Sequence, residues 1–180
     1  MNTLNLDIHP ADEMLKISRL AFQGDDAKAR AFYLNSGRTI AEKIIGELKA
    51  RDLNPAEIEL LDFACGYGRV TRHLVGSFKS LTVSDLDPDM LDFVRHIAGA
   101  DGFLSNVDLT EVTWPVRKFD VVFSYSLFTH LHPDIWRDWF GALFECVAPA
   151  GLMIFTTRGV DFAKRTGEKS KTVTLFDLRS

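Results

Sequence analysis

A carboxylate followed by a run of small residues is the chemical signal that stands out in this chain. Residues 60–68 read Leu-Leu-Asp-Phe-Ala-Cys-Gly-Tyr-Gly. Asp62 closes an apolar stretch, and Ala64, Cys65, Gly66, Tyr67 and Gly68 form a loop before Arg69 to Leu74, which read as the start of a helix. Glycines permit positive φ and let a backbone approach a ligand closely. Strand, glycine loop and helix is the arrangement that holds a nucleotide-like ligand at the carboxyl edge of an α/β sheet. The same glycines also suit a tight turn that binds nothing, so the neighbouring acid carries the argument. A carboxylate just before the loop repels a pyrophosphate and suits a ligand bearing positive charge.

Three further groups fall after later strands. Asp85 lies nineteen positions beyond Gly66, at the end of an apolar run, where an acid can accept both hydroxyls of a ribose. Asp87 precedes Pro88 and is the better helix cap, which leaves Asp85 for the ligand. Asn106, Val107, Asp108 and Leu109 follow the next short strand, and Asp108 is placed to accept from an exocyclic adenine amine or simply to face water. Ser124, Tyr125 and Ser126 end a fourth strand, and His130 just beyond has the right side chain for proton transfer near neutral pH. A helix-capping or packing role suits His130 equally. His130 and His132 would share a face on an extended loop, but with only Asp134 nearby they fall short of a metal set.

A dinucleotide fingerprint fails on the residues. Counted from Gly66, the third glycine of Gly-x-Gly-x-x-Gly would be Thr71; counted from Ala64, it would be Arg69.

The elements that must position these groups follow from periodicity. Helices are predicted over 11–23, 26–34 and 38–51, with Asn35-Ser36-Gly37 breaking the last two and capping the third. Strands are predicted at Glu57 to Phe63, Ser80 to Ser84, Gly102 to Ser105, Lys118 to Ser124 and Leu152 to Thr157. Helices are predicted between them at 69–76, from Pro88 to Ala98 and from Pro133 to Val147, the last broken by Pro149-Ala150-Gly151. Alternation of this kind implies an α/β fold, a Rossmann-like, doubly wound and mainly parallel sheet. An N-terminal helical cap or lid is expected over 1–53 and the ligand-binding core over 54–180, in one compact domain.

Taken in order, Leu-Asp-Phe-Ala-Cys-Gly-Tyr-Gly, Asp-Leu-Asp-Pro-Asp-Met-Leu, Phe-Asp-Val-Val-Phe-Ser and Ala-Pro-Ala-Gly-Leu-Met-Ile-Phe-Thr-Thr resemble the class I S-adenosylmethionine-dependent methyltransferases over residues 36–157. The resemblance implies S-adenosylmethionine as donor and S-adenosylhomocysteine as product. It implies that Asp62 and nearby backbone carbonyls hold the methionine ammonium, with Ala64, Cys65, Gly66, Tyr67 and Gly68 forming the donor loop. Asp85 would bind the ribose, with Leu86 and Met90 of the same motif beside it. Asn106 to Leu109 would receive the adenine, and Ser124 and Tyr125 would line the floor near the sulfonium. His130 is the candidate base for an oxygen or nitrogen acceptor; a carboxylate acceptor would need none. A stretch from Tyr33 to Arg38 resembles a lid of some members, where Arg38 could meet the donor carboxylate or remain a solvated helix residue.

This chain departs from the family pattern at Ala64 and Ala150, where glycine is common. Ala64 is compatible with the turn provided its φ is negative. Only 23 residues follow Thr157, with one candidate strand, Thr172 to Phe176, after a polar stretch from Lys164 to Lys171 that reads as a loop. The family's closing hairpin is therefore expected to be truncated, and three readings stay open: a shortened piece, a minimal variant, or a chain whose sheet edge is completed by a second copy or a partner chain.

Bulk properties narrow the partners. The chain has 180 residues, 46% hydrophobic and 26% charged, enough for one soluble domain with a full core. A net charge of −4 gives no broad basic footprint for nucleic acid, so a small-molecule acceptor is expected. The N-terminus lacks the features of a signal peptide, no run is long enough to span a membrane, and Cys65 and Cys146 make no metal or disulfide pattern; a cytoplasmic location is expected. Two other readings stay open: a non-catalytic module that binds the donor or its product, and an NAD-dependent oxidoreductase.

Overall fold

The computed structural model describes residues 4–157. Five strands form one all-parallel sheet: β1 (Glu59–Phe63), β2 (Ser80–Asp85), β3 (Asp101–Leu104), β4 (Phe119–Ser124) and β5 (Val147–Phe155), in the order β3-β2-β1-β4-β5. The order reverses between β1 and β4. That crevice, at the carboxyl ends of the strands, is where an open α/β sheet accepts a ligand. Leu60, Leu61, Val121, Val122 and Phe123 are all buried, because both faces of the central strands are covered.

The helices are α1 (Glu13–Ala21), α2 (Asp26–Lys49), α3 (Pro88–Ala98), the single turn α4 (Leu127–His130) and α5 (Pro133–Glu145). On one face, Ala41, Ile44 and Leu48 of α2 pack with Leu60, Val121 and Leu152, while Leu91 and Val94 of α3 pack on Val83. On the other face, α5 and the segment before β4 enclose an aromatic core that includes Phe63, Phe119, Trp139 and Phe155. The first half of α2 packs through Ala29 and Tyr33 against Leu15 of α1.

Three expectations are corrected. Asn35-Ser36-Gly37 does not break the chain, and α2 runs through it without interruption. The Ser36 and Thr39 hydroxyls donate back to the Tyr33 and Asn35 carbonyls at 2.7 and 2.9 Å, within the helix, rather than capping a new one. Gly37 lets α2 press onto the loop segment: a Cβ there would sit 1.9 Å from the Arg69 carbonyl oxygen.

The helix expected over 69–76 is instead a series of turns around a short 3-10 segment, Thr71–His73. The Arg72 Nε donates to the Gly68 carbonyl at 2.9 Å, alongside the Arg72 backbone N–H at 3.2 Å. His73 and Leu74 then bond to Val70 and Thr71, three residues back.

Finally, α5 ends at Glu145 with Cys146 as its cap, and β5 begins at Val147 rather than after Gly151. Pro149 to Gly151 form an irregularity inside β5, where Phe119 faces Val147 but Val121 faces Leu152. The candidate loop at 164–171 and strand at 172–176 lie outside the described residues.

Candidate functional site

The carboxyl ends of β1, β2, β3 and β4 bring most of the sequence candidates to one edge. Asp62 sits within β1, 2% exposed, on the face that packs under the loop. The Thr71 hydroxyl donates to its Oδ2 at 2.7 Å. Burial raises the Asp62 pKa to about 7, the Thr71 bond acts in the opposite sense, and the charge of Asp85 adds a further push upward. Among the described residues no cation pairs with this carboxylate.

The loop that follows uses three left-handed residues, Ala64 at φ 62°, Gly66 at φ 55° and Gly68 at φ 70°. The expectation of a negative φ at Ala64 is overturned; the turn imposes the left-handed conformation whichever residue occupies it. Gly68 also lies against α3, where an added Cβ would meet Val94 at 3.0 Å. Gly66 has open space on its Cβ side, so a ligand can reach its backbone. The Cys65 N–H donates to the Ser84 carbonyl at 3.1 Å and ties the loop to β2. Burial pushes the Cys65 thiol up, which keeps it protonated.

Asp85 ends β2 as expected, but it is not left free. Its Oδ2 accepts from the Gly66 N–H at 2.8 Å, and its Oδ1 from the Leu86 and Asp87 N–H groups at 2.8 and 3.2 Å. Burial raises its pKa against these three donors. Asp85 therefore fixes the loop to the start of α3 as well as facing the crevice. Asp87 caps α3 through the Asp89 and Met90 N–H groups, and Met90 is half-buried in the first turn. The neighbouring strand ends expose Leu86 at 57% and Val107 at 76%, apolar surface suited to a planar ring.

Asn106 accepts from the Asp108 N–H at 3.1 Å. Asp108 itself caps the turn Leu109–Glu111, its Oδ1 accepting both Thr110 donors, and these bonds lower its pKa. Leu109 turns away to pack on the aromatic core. Ser124 is fully buried with its hydroxyl unpartnered, and Tyr125 is half-buried beneath the Arg69 guanidinium, 5.1 Å from the ring centroid. The Tyr67 ring stacks on His9 and meets Phe93 edge-on, and His9 and Phe93 also touch, so the three rings form one cluster.

His130 ends the one-turn helix α4 and is exposed. His132 caps α5 instead, accepting from the Asp134 N–H at 3.4 Å. Among the described residues no group of three or more His, Cys, Asp or Glu is arranged to hold a metal. Thr71, Arg69 and Arg72 were missed as site-shaping residues. Their signal was modest: polar and charged side chains within two turns of the glycine loop, read as an ordinary helix surface. Arg69 links its guanidinium to the Ser36 hydroxyl at 2.9 Å as well as to Tyr125. Arg38 remains on the outside of α2, bonded to Asn35 at 2.6 Å.

A methyltransferase-domain family model matches residues 60–151, from β1 into β5. The chain belongs to the class I S-adenosylmethionine-dependent methyltransferase family. This methyltransferase-family chain is 29% identical over 131 residues to a malonyl-[acyl-carrier protein] O-methyltransferase of Serratia marcescens, covering 73% of this chain and 49% of that protein. It is 27% identical over 139 residues to the protein of the same name from Priestia megaterium, covering 74% and 48%. The chain thus spans about half the length of the curated relatives it matches. The DhpI–SAH complex is similar in structure, with a TM-score of 0.55 and 25% identity over 81% of this chain and 68% of that one. No helix among the described residues is long and apolar enough to cross a membrane.

Proposed function

We propose that this methyltransferase-family chain binds S-adenosylmethionine at the carboxyl edge of its sheet and transfers the methyl group to a small-molecule acceptor. The observation that carries the reading is Asp62: a buried carboxylate beside an open glycine loop, bonded to a hydroxyl and with no cation paired to it among the described residues. A ligand ammonium supplies the charge that this site lacks.

The residues fit the donor part by part. Asp62 and the loop backbone hold the ammonium, Asp85 the ribose, and Leu86 and Val107 the faces of the adenine, with Asn106 to Leu109 at its edge. Ser124 offers an unpartnered buried hydroxyl near the end of β4. Once bound, the donor supplies an activated methyl carbon whose bond to sulfur breaks as the acceptor's lone pair attacks in line. The chain's task is then alignment and exclusion of water.

A carboxylate oxygen is the acceptor group we favour. It attacks as the anion and needs no base, which agrees with a His130 that is exposed and on a separate turn. The matched relatives are named for O-methylation of a malonyl group, which points in the same direction. The test is product formation from labelled S-adenosylmethionine with a panel of malonyl thioester, simple carboxylates, amines and alcohols. Ester formation supports the reading. Binding of the donor with no transfer to any acceptor would leave a non-catalytic binding module.

A further inference from the structure

The amino-terminal segment returns to the glycine loop, and a buried arginine joins the two. Arg72 is 2% exposed. Its guanidinium donates to the Gly68 and Tyr67 carbonyls at 2.9 and 3.1 Å, both in the loop. It also donates to the carbonyls of Asn5, at 3.3 Å, and Asp7, both in the strap of residues 4–12. Five N–H groups in a rigid fork suit this division between two segments. The Tyr33 ring of α2 lies beneath it, 5.7 Å from the guanidinium carbon.

Outside this clasp, the His9 ring stacks on Tyr67 with centroids 4.4 Å apart and 7° between planes, and Phe93 of α3 meets it edge-on. At the far end of the strap, Asp12 accepts from the Tyr33 hydroxyl at 2.6 Å. Apolar burial contributes little: Leu4 and Leu6 are 44% and 55% exposed, and Ile8 is the buried aliphatic of the strap. A segment held by a few polar bonds and one ring stack opens at low cost, and its docking responds to small changes beneath it.

The loop is clamped from two sides. Asp85 holds the Gly66 N–H from β2, and Arg72 holds the Tyr67 and Gly68 carbonyls from below. We propose that Arg72 is a positioning residue that joins strap docking and donor-loop shape into one equilibrium, so that donor binding orders residues 4–12 and the docked strap tightens donor binding. The two effects must be equal in size, since coupling between sites is reciprocal. The inference rests on the donor reading of the loop given above.

Hydrogen exchange on the full chain, with and without S-adenosylhomocysteine, tests it alongside calorimetry. Addition of the ligand slows exchange of the strap amides. His9→Ala, which removes the ring stack and leaves the buried cation in place, speeds that exchange and weakens S-adenosylhomocysteine binding by about tenfold. Arg72→Lys keeps the charge, loses the fork and gives a loss in the same direction. Leu6→Ser, on the exposed side of the strap, changes neither readout. Ligand binding that leaves strap exchange unaltered overturns the coupling alone, as does a His9→Ala protein with a loosened strap and unchanged affinity. Failure of the unaltered protein to bind S-adenosylhomocysteine overturns the donor reading and the coupling together.

Discussion

The Thr71 hydroxyl and the Asp62 carboxylate meet at 2.7 Å in the interior behind the glycine loop. This pair decides how the site behaves without ligand. A hydroxyl offers an ionised carboxylate a single bond, while burial penalises its charge, and burial prevails: the Asp62 pKa rises to about 7. The ligand-free site is therefore poised between neutral and charged at physiological pH.

Stability without ligand should fall as pH rises. The folded pKa of Asp62 lies above its unfolded value of 3.8, so its contribution is fully present below that value and is lost as pH rises through about 7. Asp62→Asn removes the buried charge and keeps the shape. At pH 8 the ligand-free variant should be more stable than the parent by about 4 kcal/mol. Denaturant melts of both proteins at pH 5 and 8 check the sign, and the gap should be smaller at pH 5, which still lies above the unfolded value of 3.8.

Glycine should be preferred at two positions where this chain has alanine. Ala64 and Ala150 both hold left-handed φ, each at 62°. Ala64→Gly and Ala150→Gly should each stabilise the fold by about 1 kcal/mol, by relieving the Cβ strain of that conformation. The two lie on different segments, so the double variant should show nearly the sum, read from urea midpoints at unchanged slope.

Two glycines of one helix should respond oppositely to the same substitution. Gly37→Ala drives a Cβ to within 1.9 Å of the Arg69 carbonyl oxygen and should cost about 3 kcal/mol or more. Gly46→Ala, also in α2, meets nothing within 4 Å and should stabilise by roughly 0.5 kcal/mol. Thermal melts separate the pair, and Gly37→Ala should also weaken donor binding, because it displaces the segment that follows the loop.

Asp85→Asn tests an acid with two duties. The amide keeps one acceptor oxygen for three backbone N–H groups and gives up the charge. S-adenosylhomocysteine affinity should fall by about thirtyfold, the equivalent of one charge-assisted hydrogen bond. An unchanged affinity would remove Asp85 from the ribose assignment.

The strands and the loop were legible in the sequence because their signals are local. Asp62, Asp85 and Ser124 each sit at or near the end of an apolar run, Gly66 and Gly68 follow the first of these, and the sheet places those ends on one edge. What was not legible depends on contacts between distant segments. Gly37 reads as a helix breaker until Arg69 lies against it. Thr71 to Leu74 read as helix until the Arg72 side chain takes the Gly68 carbonyl. The stack of His9 on the Tyr67 ring joins two distant segments and has no local sign. The left-handed φ of Ala64 was hidden for a different reason: the turn determines it, and an alanine gives no local sign of it.

A cationic ligand meeting Asp62 is the central claim, and calorimetry with S-adenosylhomocysteine at pH 8 and pH 6 tests it most directly. Above pH 7 the carboxylate is ready; below it, binding must first release the proton. One-site binding that weakens about tenfold from pH 8 to pH 6 is expected, with most of that dependence lost in Asp62→Asn. Binding of NADH with no binding of S-adenosylhomocysteine, or an Asp62→Asn affinity for the latter equal to that of the parent at both pH values, would contradict it.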